Sequence, residues 1–121
     1  MNLEEAMTTA GVDYEITLNR FSNNEKLLEK FVRKFPGDAT FSNLQEAVSE
    51  KRYPEIERAA HTLKGIAANL GFQNLSELNA EIVNLIRSGQ FADKELEGVF
   101  SKISGEYEKI IDCVNCLDER G

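Results

Sequence analysis

The chain has 121 residues, 41% hydrophobic and 29% charged, which suits one domain with a single buried core. A net charge of −7 and a pI near 4.8 repel nucleic-acid phosphates and anionic lipid alike, so neither is an expected partner. No apolar run approaches the ~18 residues needed to span a bilayer, and the acidic start MNLEEAMTTAGVDYE lacks the basic and apolar segments of a secretory signal, which predicts a cytoplasmic protein.

In chain order, a short helix over about Leu3 to Thr9 stops before Gly11, and a second runs from about Tyr14 to Arg20. Asn23 or Asn24 can cap a third, with Leu27, Leu28, Phe31, Val32 and Phe35 at helical spacing, ended by Pro36-Gly37. Asp38 caps the next, whose apolar stripe is Phe41, Leu44, Ala47 and Val48. Arg52-Tyr53 reads as a loop. Pro54, at a position needing no amide donor, then opens a helix that continues to Leu70 and stops at Gly71. Asn74 starts a helix carrying Leu75, Leu78, Ile82 and Leu85, ended by Gly89. Asp93 caps a last long helix with Leu96, Val99, Phe100, Ile103, Tyr107, Ile110 and Val114 facing inward.

No run alternates with the period of a strand, and no linker, repeat or low-complexity stretch divides residues 1–121. The predicted fold is all-α: an antiparallel up-down four-helix bundle, with additional short N-terminal helices covering one end or groove. The protein is expected to be a monomer. Cys113 and Cys116 form a C-x-x-C without a second Cys/His pair to complete a zinc site and without a surrounding βαβ pattern. They are expected on one helix face beside Ile110 and Leu117, as two reduced thiols in or near the core.

The informative helix is Pro54 to Leu70. At about 100° per residue, Ile56, Ala59, Ala60, Leu63, Ile66, Ala67 and Leu70 form its core stripe. His61, the only histidine, lies about 160° from Leu63 and points to solvent. Its neighbours on that outer face are Lys64, Gly65 and Ala68, with Arg58 one turn earlier. A glycine inside a helix costs ~1 kcal/mol relative to alanine, and nothing in the core asks for one at position 65. Clearance for something bulky approaching the imidazole would explain it. Lys64, and secondarily Arg58, could pair with phosphoryl oxygens. From periodicity alone, an ordinary surface histidine beside a chance glycine is the better reading.

The stretch Ala60-His61-Thr62-Leu63-Lys64-Gly65-Ile66-Ala67-Ala68-Asn69-Leu70-Gly71 resembles the signature of histidine-containing phosphotransfer (HPt) domains. Gly11-Val12-Asp13, Asn19-Arg20-Phe21 and the helix with Leu27, Leu28 and Phe31 resemble the family's N-terminal half; Leu75 and the Ser88-Gly89 helix end match its next helix, so the likeness covers about residues 10 to 90. The resemblance implies a four-helix bundle in which His61 is the phosphorylated residue, exposed in mid-helix. Lys64 would stabilise the phosphoryl group, and Arg58, Gly65 and Ala68 would lie where the partner docks. The implied partners are response-regulator receiver domains and a hybrid sensor histidine kinase. No cofactor belongs to the domain itself, because magnesium and the phosphorylated aspartate sit on the receiver.

Imidazole suits this work. Free imidazole side chains titrate near ~6.5, so one ring nitrogen keeps a lone pair at neutral pH, and phosphoryl transfer needs mainly positioning and charge stabilisation. The domain is then half an active site, a phosphocarrier without kinase activity of its own. In HPt-like domains of chemotaxis kinases a glutamate on the next helix orients the imidazole. The corresponding position here is Val83, while Glu77 and Glu81 lie near in sequence. That departure favours a relay between receivers over the phosphorylation domain of a chemotaxis-type kinase. A thiol redox protein using Cys113 and Cys116, and a helical adaptor without chemistry, are the competing classes.

Overall fold

The structure, a computed structural model, describes residues 1–119. All regular structure among them is helical. α1 (Leu3–Thr9) begins with a capping box in which Asn2 and Glu5 exchange side-chain and backbone hydrogen bonds. α2 (Tyr14–Arg20) is capped by Asp13, and α3 (Glu25–Lys34) by Asn24, whose Oδ1 accepts from the Leu27 amide at 3.1 Å. Pro36 sits in a 3₁₀ turn, Phe35–Gly37, that ends α3. α4 (Thr40–Ser49), α5 (Tyr53–Asn69), α6 (Gln73–Ser88) and α7 (Asp93–Asn115) follow.

α4, α5, α6 and α7 each pack on the next, and α7 also reaches α4. Their shared interior holds Leu44, Ile56, Leu63, Leu75, Ile82 and Ile103, all essentially excluded from water. Each such side chain contributes about 1.5–3 kcal/mol of burial. Phe41 of α4 stacks on Tyr107 of α7 with ring centroids 3.9 Å apart. Ser76 reaches Lys64 and Arg87 reaches Glu57, so α5 and α6 run in opposite directions. α1 lies against α2 and α7, burying Leu3, Ala6 and Met7.

Several local expectations change. Leu27 and Phe31 sit on the solvent side of α3, about two-fifths exposed, while Leu28, Val32 and Phe35 carry its contact with the core. A short helix at the bundle's edge buries only a narrow stripe. Tyr53 belongs to α5 rather than to a loop, because its ring packs edge-on to Phe91 and its hydroxyl bonds to Asp93 at 2.7 Å. That bond, with the 3.2 Å ion pair from Lys51, takes the Asp93 carboxylate away from capping: Ala92 is the N-cap of α7, and Asp93 is its first residue. Ala39 occupies the cap position of α4, yet Asp38 Oδ1 still accepts from the Thr40 amide at 2.8 Å. α6 begins one residue before Asn74, at Gln73. The cysteines separate: Cys113 is buried, whereas Cys116, the residue that ends α7, is exposed, and both thiols are free. Burial pushes the Cys113 thiol above its ordinary range.

Candidate functional site

α5 is amphipathic because its apolar residues recur every three to four positions, and the structure buries Ile56, Ala60, Leu63 and Ala67 beneath it. His61, Lys64, Gly65 and Arg58 lie on the opposite, exposed side, with Ala68 half-buried at its edge. All five candidate residues therefore share one surface, as the helical spacing requires. A Cβ added at Gly65 meets nothing within 4 Å, so packing does not explain the glycine, and the space beside His61 is open.

The turn after α5 is fixed from below. Gly71 has φ +83°, and a Cβ there would come within 2.2 Å of Thr17 Oγ1 and 2.8 Å of Val12 Cγ1. Only glycine combines that backbone conformation with so close an approach. The end of the histidine helix is thereby pressed onto α2, where Thr17 is fully buried. From the same helix Arg20 Nη1 donates to the Ala68 carbonyl at 2.7 Å, placing a cation at the negative end of α5.

Glu57, one turn before His61, is the acidic residue nearest to it along the exposed side of α5. Arg87 of α6 engages its carboxylate at 3.2 Å. Lys64, Arg58 and Arg20 have no carboxylate partner among the described residues, whereas Arg33, Lys51, Arg52, Arg87 and Lys109 do. A chain of net charge −7 thus presents two cations without a carboxylate partner, Arg58 and Lys64, one turn either side of its one imidazole.

The antiparallel register set by Ser76–Lys64 and Arg87–Glu57 brings the α6 turn around Val83 alongside His61. Val83 is buried, so this position supplies no carboxylate to the imidazole. Glu77 and Glu81 instead line a groove toward Lys102 and Glu106 of α7. On the other flank of α5, just past Gly65, Ile66 and Asn69 form a cleft with Phe31, Lys34 and Phe35.

Sequence patterning did not reveal Arg20, Ser76, Arg87 or this cleft. Ser76 and Asn79 did leave a trace, as polar residues standing within the apolar stripe of α6. Among the described residues no group of three or more His, Cys, Asp or Glu side chains is placed to hold a metal ion, and no helix is long and apolar enough to cross a membrane.

No curated protein and no solved structure matches the chain. The family model for the Hpt domain matches residues 26–107. The match runs from early in α3 into α7 and spans the whole of α4, α5 and α6, beginning and ending later than the likeness seen along residues 10 to 90. A match over well more than half the chain, with the His61 helix at its centre, decides the family: this protein belongs to the Hpt domain family.

Proposed function

We propose that the protein relays phosphoryl groups through His61, to and from aspartates of response-regulator receiver domains. The observation that carries this is His61 standing exposed in mid-helix, with open space over Gly65 and an unpaired Lys64 one turn on, in a chain of the Hpt family. The lone pair of one ring nitrogen attacks phosphorus and forms the N–P bond. The aspartyl O–P bond breaks, and the receiver's carboxylate leaves with the bonding pair. The reverse sequence discharges the group to a second receiver. Lys64 sits where its ammonium can follow the charge on the transferring oxygens. A magnesium ion carried by the receiver would neutralise the remaining oxygens, and a hybrid sensor kinase is the natural source of such a receiver.

Docking would use the outer face of α5, with Arg58, Gly65 and Ala68 beneath the partner and the Phe31–Ile66 cleft at its edge. A valine at position 83, in the α6 turn alongside His61, favours relay between receivers over direct phosphorylation by a chemotaxis-type kinase domain. The thiols are a poor redox pair, with one buried and its ionisation disfavoured. The test is a time course with a receiver phosphorylated beforehand. Acid-labile, base-stable label should appear on His61, and label absent from this residue would end the proposal.

A further inference from the structure

The His61 helix carries a weak helix former, Gly65, one turn after the histidine. Residues 65–68 read Gly-Ile-Ala-Ala, and Gly65 lies on the exposed face without a side chain to restrain its backbone. Two side chains from outside α5 bond to the main-chain carbonyls just before this stretch and at its end. Ser76 of α6, buried, donates from Oγ to the Lys64 carbonyl at 3.1 Å. Arg20 of α2 donates to the Ala68 carbonyl at 2.7 Å. The two acceptors are one helical turn apart and bracket the glycine. Ser76 stands within the largely apolar buried stripe of α6, and its bond to Lys64 is what a hydroxyl supplies there and an alanine would not.

We infer that Ser76 and Arg20 are positioning residues for phosphotransfer, which hold the glycine-softened turn so that Lys64 keeps a fixed phase relative to His61. This rests on the phosphotransfer proposed above. Neither residue touches the phosphoryl group; both act through the backbone that carries Lys64. A turn free to unwind by a few tenths of an ångström would move the ammonium relative to the in-line path, and such small misplacements slow transfer without weakening docking.

The experiment compares the unmodified protein with Ser76→Ala and Arg20→Gln, alone and combined with Lys64→Ala. Each bracing variant should bind the unphosphorylated receiver with unchanged Kd, yet transfer about fivefold more slowly within the complex, the factor expected for one net hydrogen bond. In the Lys64→Ala background neither should slow transfer further, because the group they position is gone. Hydrogen exchange of the Gly65–Asn69 amides, measured on the protein alone, should quicken in both variants. Unchanged exchange, unchanged single-turnover rates, a rate loss that adds fully to that of Lys64→Ala, or an effect confined to Kd would each overturn the inference. Failure of the unmodified protein to take label on His61 would instead overturn the phosphotransfer proposal, and the exchange measurement would still decide whether the bracing exists.

Discussion

His61 and Lys64 stand three residues apart on the same exposed surface, and their removal should have different consequences. His61 is the sole imidazole, so His61→Gln should abolish acid-labile phosphorylation while changing stability by less than ~0.5 kcal/mol, as exposed side chains away from the core usually do. Lys64→Ala keeps the nucleophile. Transfer should persist but slow about tenfold, the factor given by ~1.4 kcal/mol of lost charge stabilisation. A phosphotransfer time course separates the two; base-stable label on His61→Gln would point to another acceptor. The cysteines offer a second comparison at this scale. Cys116 is exposed and Cys113 buried with its thiol ionisation disfavoured, so a thiol reagent should modify one equivalent quickly and the second only as the protein unfolds. Two equally fast equivalents in the native protein would contradict this placement.

Two glycines of the α5 region look alike in the sequence and differ in the fold. Gly65→Ala should stabilise the protein by ~1 kcal/mol, because the added methyl meets nothing and alanine favours the helix. Gly65→Leu should leave the fold intact but slow transfer, by filling the approach to His61. Gly71→Ala should destabilise by about 2–4 kcal/mol, since its Cβ would collide with the buried Thr17 and its φ of +83° disfavours any side chain. Denaturant titrations of the two alanine variants should move in opposite directions. The helical stripes that define α4 to α7 were legible from spacing alone, as was the outward face of His61, because both follow from 3.6-residue periodicity. Leu27 and Phe31 misled for the same reason: spacing shows that a helix has an apolar face, not how wide a stripe its neighbours cover. Asp93 looked like a cap because capping is local chemistry, whereas Tyr53 and Lys51, forty or so residues earlier, compete for its carboxylate. Arg20 and Ser76 were invisible as bracing groups, since their partners are main-chain carbonyls, which leave no mark in a sequence.

At the scale of the molecule, the Tyr53–Asp93–Lys51 cluster ties the start of α5 to the start of α7 and makes stability depend on pH. The Tyr53 hydroxyl, and then Lys51, hold the Asp93 carboxyl below its ordinary value of 3.8. The contribution is present above that value and lost as pH falls through the lower one in the fold. Lys51 is raised above 10.5 by the same contact, so its share is complete below that value and lost at strongly alkaline pH. Asp93→Asn should therefore lower the unfolding midpoint at neutral pH and bring its acid limb closer to flat below pH ~4. An acid limb as steep as that of the unmodified protein would place the responsible carboxylates elsewhere.

The unpaired cations around His61 bear on how often a meeting succeeds. By net charge the molecule is a negative body, and beside His61 it turns outward a small window where Arg58 and Lys64 have no carboxylate partner among the described residues. An anionic aspartyl phosphate approaching at random is pushed away from the rest of the surface and drawn through that window, so the field acts as an orientation filter before any contact forms. Charge of this kind governs the frequency of productive encounters more than the strength of the final complex. The association rate with a phosphorylated receiver should thus fall as ionic strength rises, while the dissociation rate stays nearly constant, and a face built of so few residues could admit its partners quickly and still let them go.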